Sequence, residues 1–129
     1  ELKELLISTG RAFVYTTASP EPLAHAALAA LTLANDERRE QLAANTRRLR
    51  AGLWQIGAKL LGSAHIVPVL TGPRTMAVAE RLFEAGIYAA GIRYPTVPRG
   101  QERVRLTVSS EHTREQINRC IDAFAVALG

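Results

Sequence analysis

The sequence predicts an α/β fold: a long helix, then a small C-terminal α+β domain of order β-α-β-β-α. Its sheet is expected to be mostly antiparallel and three-stranded, with helices on one face. Three observations predict it. No proline interrupts residues 23–61, and apolar residues recur there at helical spacing. Short β-rich runs follow at 65–71, 87–92 and 103–109, punctuated by Gly and Pro. Two amphipathic stretches, 75–85 and 113–128, lie between and after them. The expected division is a link and inter-domain helix over 1–61 and an α/β domain over 62–129.

At the start, Leu2, Leu5 and Leu6 share one side of a short helix that Gly10 stops. Arg11 to Thr17 is β-branched and aromatic, so a strand or extended link is expected. Ser19 is placed as an N-cap with Pro20 at the first helical position. From there Leu23, Ala27, Ala30 and Leu31 begin an apolar stripe, continued by Leu42, Leu49, Leu53, Ile56 and Leu60. One long helix or two are compatible with it, and Thr32 to Asp36 is the expected break.

Gly62-Ser63-Ala64 turns the chain into a strand, His65 to Thr71, where Pro68 argues for a sheet edge or a bulge. A helix over Thr75–Ala85 ends at Gly86, and Ile87 to Ile92 forms the second strand. Two prolines stiffen Arg93-Tyr94-Pro95-Thr96-Val97-Pro98-Arg99-Gly100. The third strand then alternates as Arg103-Val104-Arg105-Leu106, which puts both guanidinium groups on one face. Thr113 with Gln116 forms a capping box, and Ile117, Cys120, Ile121, Phe124 and Leu128 turn inward on the last helix.

Composition bounds the chemistry. Net charge is +4, yet fourteen of the sixteen basic residues are arginine, and only Lys3 and Lys59 can supply an amine. Five arginines and two glutamates share Glu37–Arg50, a pattern expected of a salt-bridged helix face rather than a nucleic-acid surface, since no aromatic residue interleaves with it. No apolar run reaches membrane-spanning length. The single cysteine fits a cytoplasmic setting. His25, His65 and His112 match no metal spacing. Neither lysine is placed as a buried catalytic amine requires. What remains is one candidate anion clamp, Arg105 with Arg93, Thr96 and Arg103, and one hydroxyl pair, Thr16-Thr17, before a helix start. By themselves these residues also fit a stand-alone domain that senses an anionic metabolite.

Several stretches occur in a known order. Phe13-Val14-Tyr15-Thr16-Thr17-Ala18-Ser19-Pro20, His65-Ile66-Val67-Pro68-Val69, Gly91-Ile92-Arg93-Tyr94-Pro95-Thr96-Val97-Pro98-Arg99-Gly100, Arg103-Val104-Arg105-Leu106 and His112-Thr113 together resemble the α-oxoamine synthases. These pyridoxal-phosphate (PLP) enzymes, of the fold-type I aminotransferase superfamily, condense an amino acid with an acyl-CoA, releasing CO2 and CoA. The resemblance implies the C-terminal third of such an enzyme, a view that suits a chain opening on Glu1 with Met76 as its sole methionine. It implies that Arg105 grips the substrate carboxylate, that Thr96 and Arg93 contact substrate, and that Thr16 and Thr17 reach the cofactor phosphate of a neighbouring subunit in a homodimer. The Schiff-base lysine of the family falls in a preceding domain, so this chain alone is expected to be inactive. Ser19-Pro20-Glu21-Pro22 departs from the family's usual Leu-Pro-Pro. Arg93 resembles the branch that joins alanine to pimeloyl-CoA in biotin synthesis. Tyr94 and Glu102-Arg103 resemble the aminolevulinate-forming branch.

Overall fold

The computed structural model describes residues 1–15 and 19–129. It divides into two compact units, Glu1–Asn35 and Asp36–Gly129.

The first unit is helical. Helix α1 spans Leu2–Thr9. The hydroxyls of Ser8 and Thr9 donate back to the Leu5 carbonyl at 3.1 and 2.6 Å, drawing the last turn tight. Arg11–Val14 forms a helical turn, α2, where an extended segment was expected. β-Propensity needs a partner strand to express itself, and none lies among the described residues of this unit. Helix α3 spans Glu21–Leu33 with Pro20, not Ser19, as its N-cap. Starting there keeps Pro22 in the first turn, where its missing N–H costs nothing. Leu23, Leu28 and Leu31 are exposed on it.

The second unit holds the core. Helix α4 spans Asp36–Gln55, so the break at residues 34–35 falls inside the expected stretch. The helix ends six residues before Leu61. Gly57 at φ 79° takes the left-handed position, and Ala58 N–H closes on the Leu53 carbonyl at 3.0 Å. The chain then lays down a two-residue strand, β1 (Lys59–Leu60), paired antiparallel with β2 (Ile66–Leu70). A 3-10 turn at Gly72–Arg74 leads into α5 (Thr75–Glu84). Strands β3 (Ala90–Ile92) and β4 (Arg103–Thr107) and helix α6 (Arg114–Leu128) complete it. The sheet is four-stranded and antiparallel, ordered β1-β2-β4-β3, one short strand more than expected.

That extra strand changes the position of Pro68. Instead of an edge, β2 is interior. Its carbonyl still accepts Leu61 N–H at 3.0 Å, but the proline cannot return a hydrogen bond to Leu61. Arg50 fills the gap: its guanidinium donates to the Leu61 carbonyl at 3.3 Å and also to that of Gly62.

All three long helices cover one face. Val67, Val69, Val104, Leu106 and Val108 from the sheet meet Leu49 and Leu53 of α4, Val78 and Leu82 of α5, and Ile117, Phe124 and Ala127 of α6. Gly52 lets α4 approach α6, because a Cβ there would run into Ile121. The α6 capping box forms as expected: Gln116 N–H donates to the Thr113 hydroxyl at 3.3 Å, and Thr113 N–H to the Gln116 side chain at 2.9 Å. Backbone N–H donors at this helix start, then the Thr113 hydroxyl, hold the Glu115 carboxyl below the usual carboxylate range.

Candidate functional site

Alternation along β4 sends Val104 and Leu106 into the core and leaves Arg103, Arg105 and Thr107 on the opposite face, away from the unit's own helices. Register fixes the surroundings of each arginine. Arg105 lies between Pro68 of β2 and Ala90 of β3, and Arg103 between Leu70 and Ile92. So Arg105 rises from an interior strand, flanked by two small, non-ionic side chains.

The two guanidinium groups are not equivalent. Arg103 is half-buried and donates through Nε to the Gln101 carbonyl at 2.8 Å and through Nη2 to the Gln101 side chain at 3.4 Å. Arg105 is exposed, and its guanidinium makes no hydrogen bond or ion pair with any described residue. Its planar fork is free to take a carboxylate or phosphate in two parallel hydrogen bonds. Spacing alone left both arginines open as the clamp; the difference is a matter of local bonding that alternation does not reveal.

Beyond Ile92 the chain leaves the sheet in a turn. The Arg93 carbonyl accepts Thr96 N–H at 2.9 Å, and the Tyr94–Pro95 peptide is cis. Arg93 and Thr96 are both exposed. The turn thus brings Arg93 and Thr96 out at the Arg103 end of the sheet, while Arg105 stands two residues further along β4. Arg99 stacks on Tyr94, 4.8 Å from the ring centre. Thr16 and Thr17 lie outside the described residues.

The remaining candidates fall into structural places. His25 Nδ1 lies 3.1 Å from the Glu21 carbonyl in α3. The His65 carbonyl accepts Val108 N–H at 3.0 Å. His112 Nδ1 accepts Ser109 N–H at 3.1 Å. Among the described residues no three His, Cys, Asp or Glu side chains could hold a metal ion. Burial pushes the Cys120 thiol up to about 11. Lys59, expected on a helix, is an exposed residue of β1, and Lys3 is exposed on α1. Neither is the buried amine that a Schiff base with PLP requires. Four of the five α4 arginines are bonded within their unit: Arg38 to Glu111, Arg39 to Asp36, Arg48 to Asn118, and Arg50 as above.

Asn45 was not singled out from the sequence. Its side chain is buried on α4, and its amide donates to the carbonyls of Ser109 and His112 at 3.0 and 2.9 Å, with Ser110 at 3.4 Å. Its own oxygen accepts from Gln41 at 3.0 Å. One amide therefore fixes the corner by which β4 hands over to α6. A lone polar residue in a helical stripe carries no sequence signal for such a role.

This unit has one sheet face packed under its own helices and, on the other, an interior-strand arginine with no partner among the described residues. The sequence matches the family described as aminotransferase class I and II over residues 1–124, and the chain belongs to that family. Within it, the chain is 40% identical over 129 residues to the 8-amino-7-oxononanoate synthase/2-amino-3-ketobutyrate coenzyme A ligase of Thermus thermophilus, covering 96% of this chain and 33% of that protein. Among solved structures it is similar to the serine palmitoyltransferase of Sphingomonas wittichii, with a TM-score of 0.86 and 30% identity over 97% of this chain and 33% of the other. It is also similar to a serine palmitoyltransferase from S. paucimobilis solved with PLP and myriocin bound, with a TM-score of 0.86 and 26% identity over 96% and 33% of the two chains. The chain spans about a third of the length of the curated relatives it matches. The mixed α/β fold is that of the C-terminal part of fold-type I PLP enzymes. Among the described residues, no helix is long and apolar enough to cross a membrane.

Proposed function

We propose that this chain is the carboxylate-binding part of a PLP-dependent acyltransferase that condenses an amino acid with an acyl-CoA. The observation that carries the proposal is the free fork of Arg105, held by an interior strand while its neighbour Arg103 is occupied. A rigid bidentate grip on the amino-acid carboxylate sets the rotation about the bond between Cα and the amino nitrogen, so that the bond from Cα to the carboxylate stands where an electron sink can accept its electrons. PLP supplies that sink when bound. On this reading the Schiff-base lysine lies in a preceding domain, as the resemblance implies, and this chain alone is inactive. Thr96 and Arg93, in the turn after β3, line the same substrate site. Thr16 and Thr17 are assigned to the cofactor phosphate of the partner in a homodimer, in the cytoplasm.

Among substrates we favour alanine and pimeloyl-CoA, the 8-amino-7-oxononanoate synthase reaction of biotin synthesis. Support comes from Arg93 at its place in the motif and from the names of the relatives, although the Thermus thermophilus relative carries the ligase name as well. 5-Aminolevulinate synthase and 2-amino-3-ketobutyrate CoA ligase chemistry are the neighbouring possibilities, and a stand-alone anion-sensing domain is the more distant one.

The test compares Arg105→Ala with Arg103→Ala in the whole protein. Loss of two charge-assisted hydrogen bonds predicts a rise of about 100-fold in KM for the amino acid with Arg105→Ala. Arg103→Ala should change it by less than about threefold. Equal effects, or a large effect of Arg103→Ala alone, would remove the assignment.

A further inference from the structure

On the helix side of β4 the second unit encloses a cavity of about 360 Å³. That is the small end of the range in which proteins hold small molecules, about 300–1,000 Å³. Its floor is apolar and belongs to the core: Leu106 of β4, Val108 just beyond it and Ile117 of α6 are all buried. Cys120 stands in the wall. With its pKa raised by burial to about 11, that thiol keeps its proton at neutral pH and adds no charge. No aspartate or glutamate lines the cavity.

The rim carries a guanidinium. Arg119 of α6 lines the cavity and is exposed. Its Nη2 donates to the Ala85 carbonyl at 2.5 Å, which fixes the group to the turn after α5. Gly86 makes room for it: φ is 78° there, and a Cβ would stand 2.6 Å from Nη2. The remaining Arg119 donors make no hydrogen bond with a described residue. Glu115 and Asp122, one turn away on either side along α6, form no ion pair with it. Gln116, also on the rim, spends its side-chain oxygen on Thr113 N–H, which leaves its amide hydrogens for an acceptor. An anchored cation with donors to spare thus stands over an apolar floor. A bare anion would leave the floor wet, and a bare hydrocarbon would leave the donors to water.

We propose that this cavity binds a small monocarboxylate with an apolar chain, the chain against Leu106, Val108 and Ile117 and the carboxylate on Arg119. The site lies on the opposite face of the sheet from Arg105 and does not rest on the reading of that residue. Sodium octanoate is the probe, titrated into this chain and followed by the methyl resonances of Leu106, Val108 and Ile117. Saturable shifts at those methyls are expected, with a Kd on the order of 0.1 mM. No saturation at millimolar octanoate, or shifts confined to other residues, would overturn the site. 1-Octanol keeps the chain and lacks the charge, so it should bind about fivefold more weakly. Equal binding of the two overturns carboxylate recognition. Arg119→Gln should weaken octanoate about fivefold and 1-octanol by less than about twofold. Equal weakening of both overturns the contact with Arg119. In the whole protein the same Arg119→Gln difference should persist; its loss there would mean that the rest of the protein fills the cavity, and would overturn the site.

Discussion

Arg103 and Arg105 differ by two positions and by nothing in residue type, yet one is bonded to Gln101 and the other is free. Function at this scale is decided by what each side chain has left to offer. Asn45 shows the same principle in a structural role, since its amide meets carbonyls at both ends of the β4–α6 corner. Asn45→Ala leaves those buried acceptors unsatisfied and should cost about 3 kcal/mol in chemical denaturation. Cys120 is the opposite case, a side chain removed from chemistry by burial. Burial pushes its thiol up to about 11. It should therefore resist alkylation in the folded chain at pH 8 and react on unfolding, as followed by mass spectrometry. Between pH 9 and 11 the unfolded chain has released this proton and the folded chain has kept it. Stability from this group is thus intact below pH 9 and falls as pH rises toward 11.

At the scale of elements, the α4–α6 contact depends on a missing side chain. Gly52→Ala would push a methyl group into Ile121 and should cost about 1–3 kcal/mol, measured by urea unfolding. Thr113→Ala removes the cap of α6 and should cost about 1 kcal/mol in the same assay. Helices that carry both an amphipathic stripe and a boundary signal were legible in the sequence: α5 with Gly86, and α6 with its capping box. Elements defined by a partner were not. Leu60 continues the apolar period of α4 by coincidence, and only pairing with Val69 makes it a strand residue. Pro68 reads as an edge residue until Arg50 is seen to satisfy the carbonyl that the proline cannot. Arg11–Val14 has strand-forming residues and no strand to join.

At the scale of the whole molecule, the second unit packs its own helices and core on one face of its sheet and none of its own helices on the other. The candidate site lies on that open face. One cavity of the unit, of about 360 Å³, lies on the other side of the sheet, lined by Leu106, Val108, Ile117 and Cys120 among others. That Arg103 and Arg105 share a face was legible in the sequence, because β4 alternates. Alternation alone did not separate the two arginines: the resemblance pointed to Arg105, and the bonds that occupy Arg103 depend on Gln101. On the proposal that the Schiff-base lysine lies in a preceding domain, this chain mixed with PLP and passed through gel filtration should keep no absorbance band near the visible edge; a retained band that borohydride bleaches would contradict it. The central claim concerns where a carboxylate binds, and a crystal structure of the whole protein with its amino-acid substrate bound tests it most directly. The account predicts both carboxylate oxygens about 2.7–2.9 Å from the Arg105 guanidinium. A carboxylate held by other residues, with Arg105 turned to solvent, would contradict it.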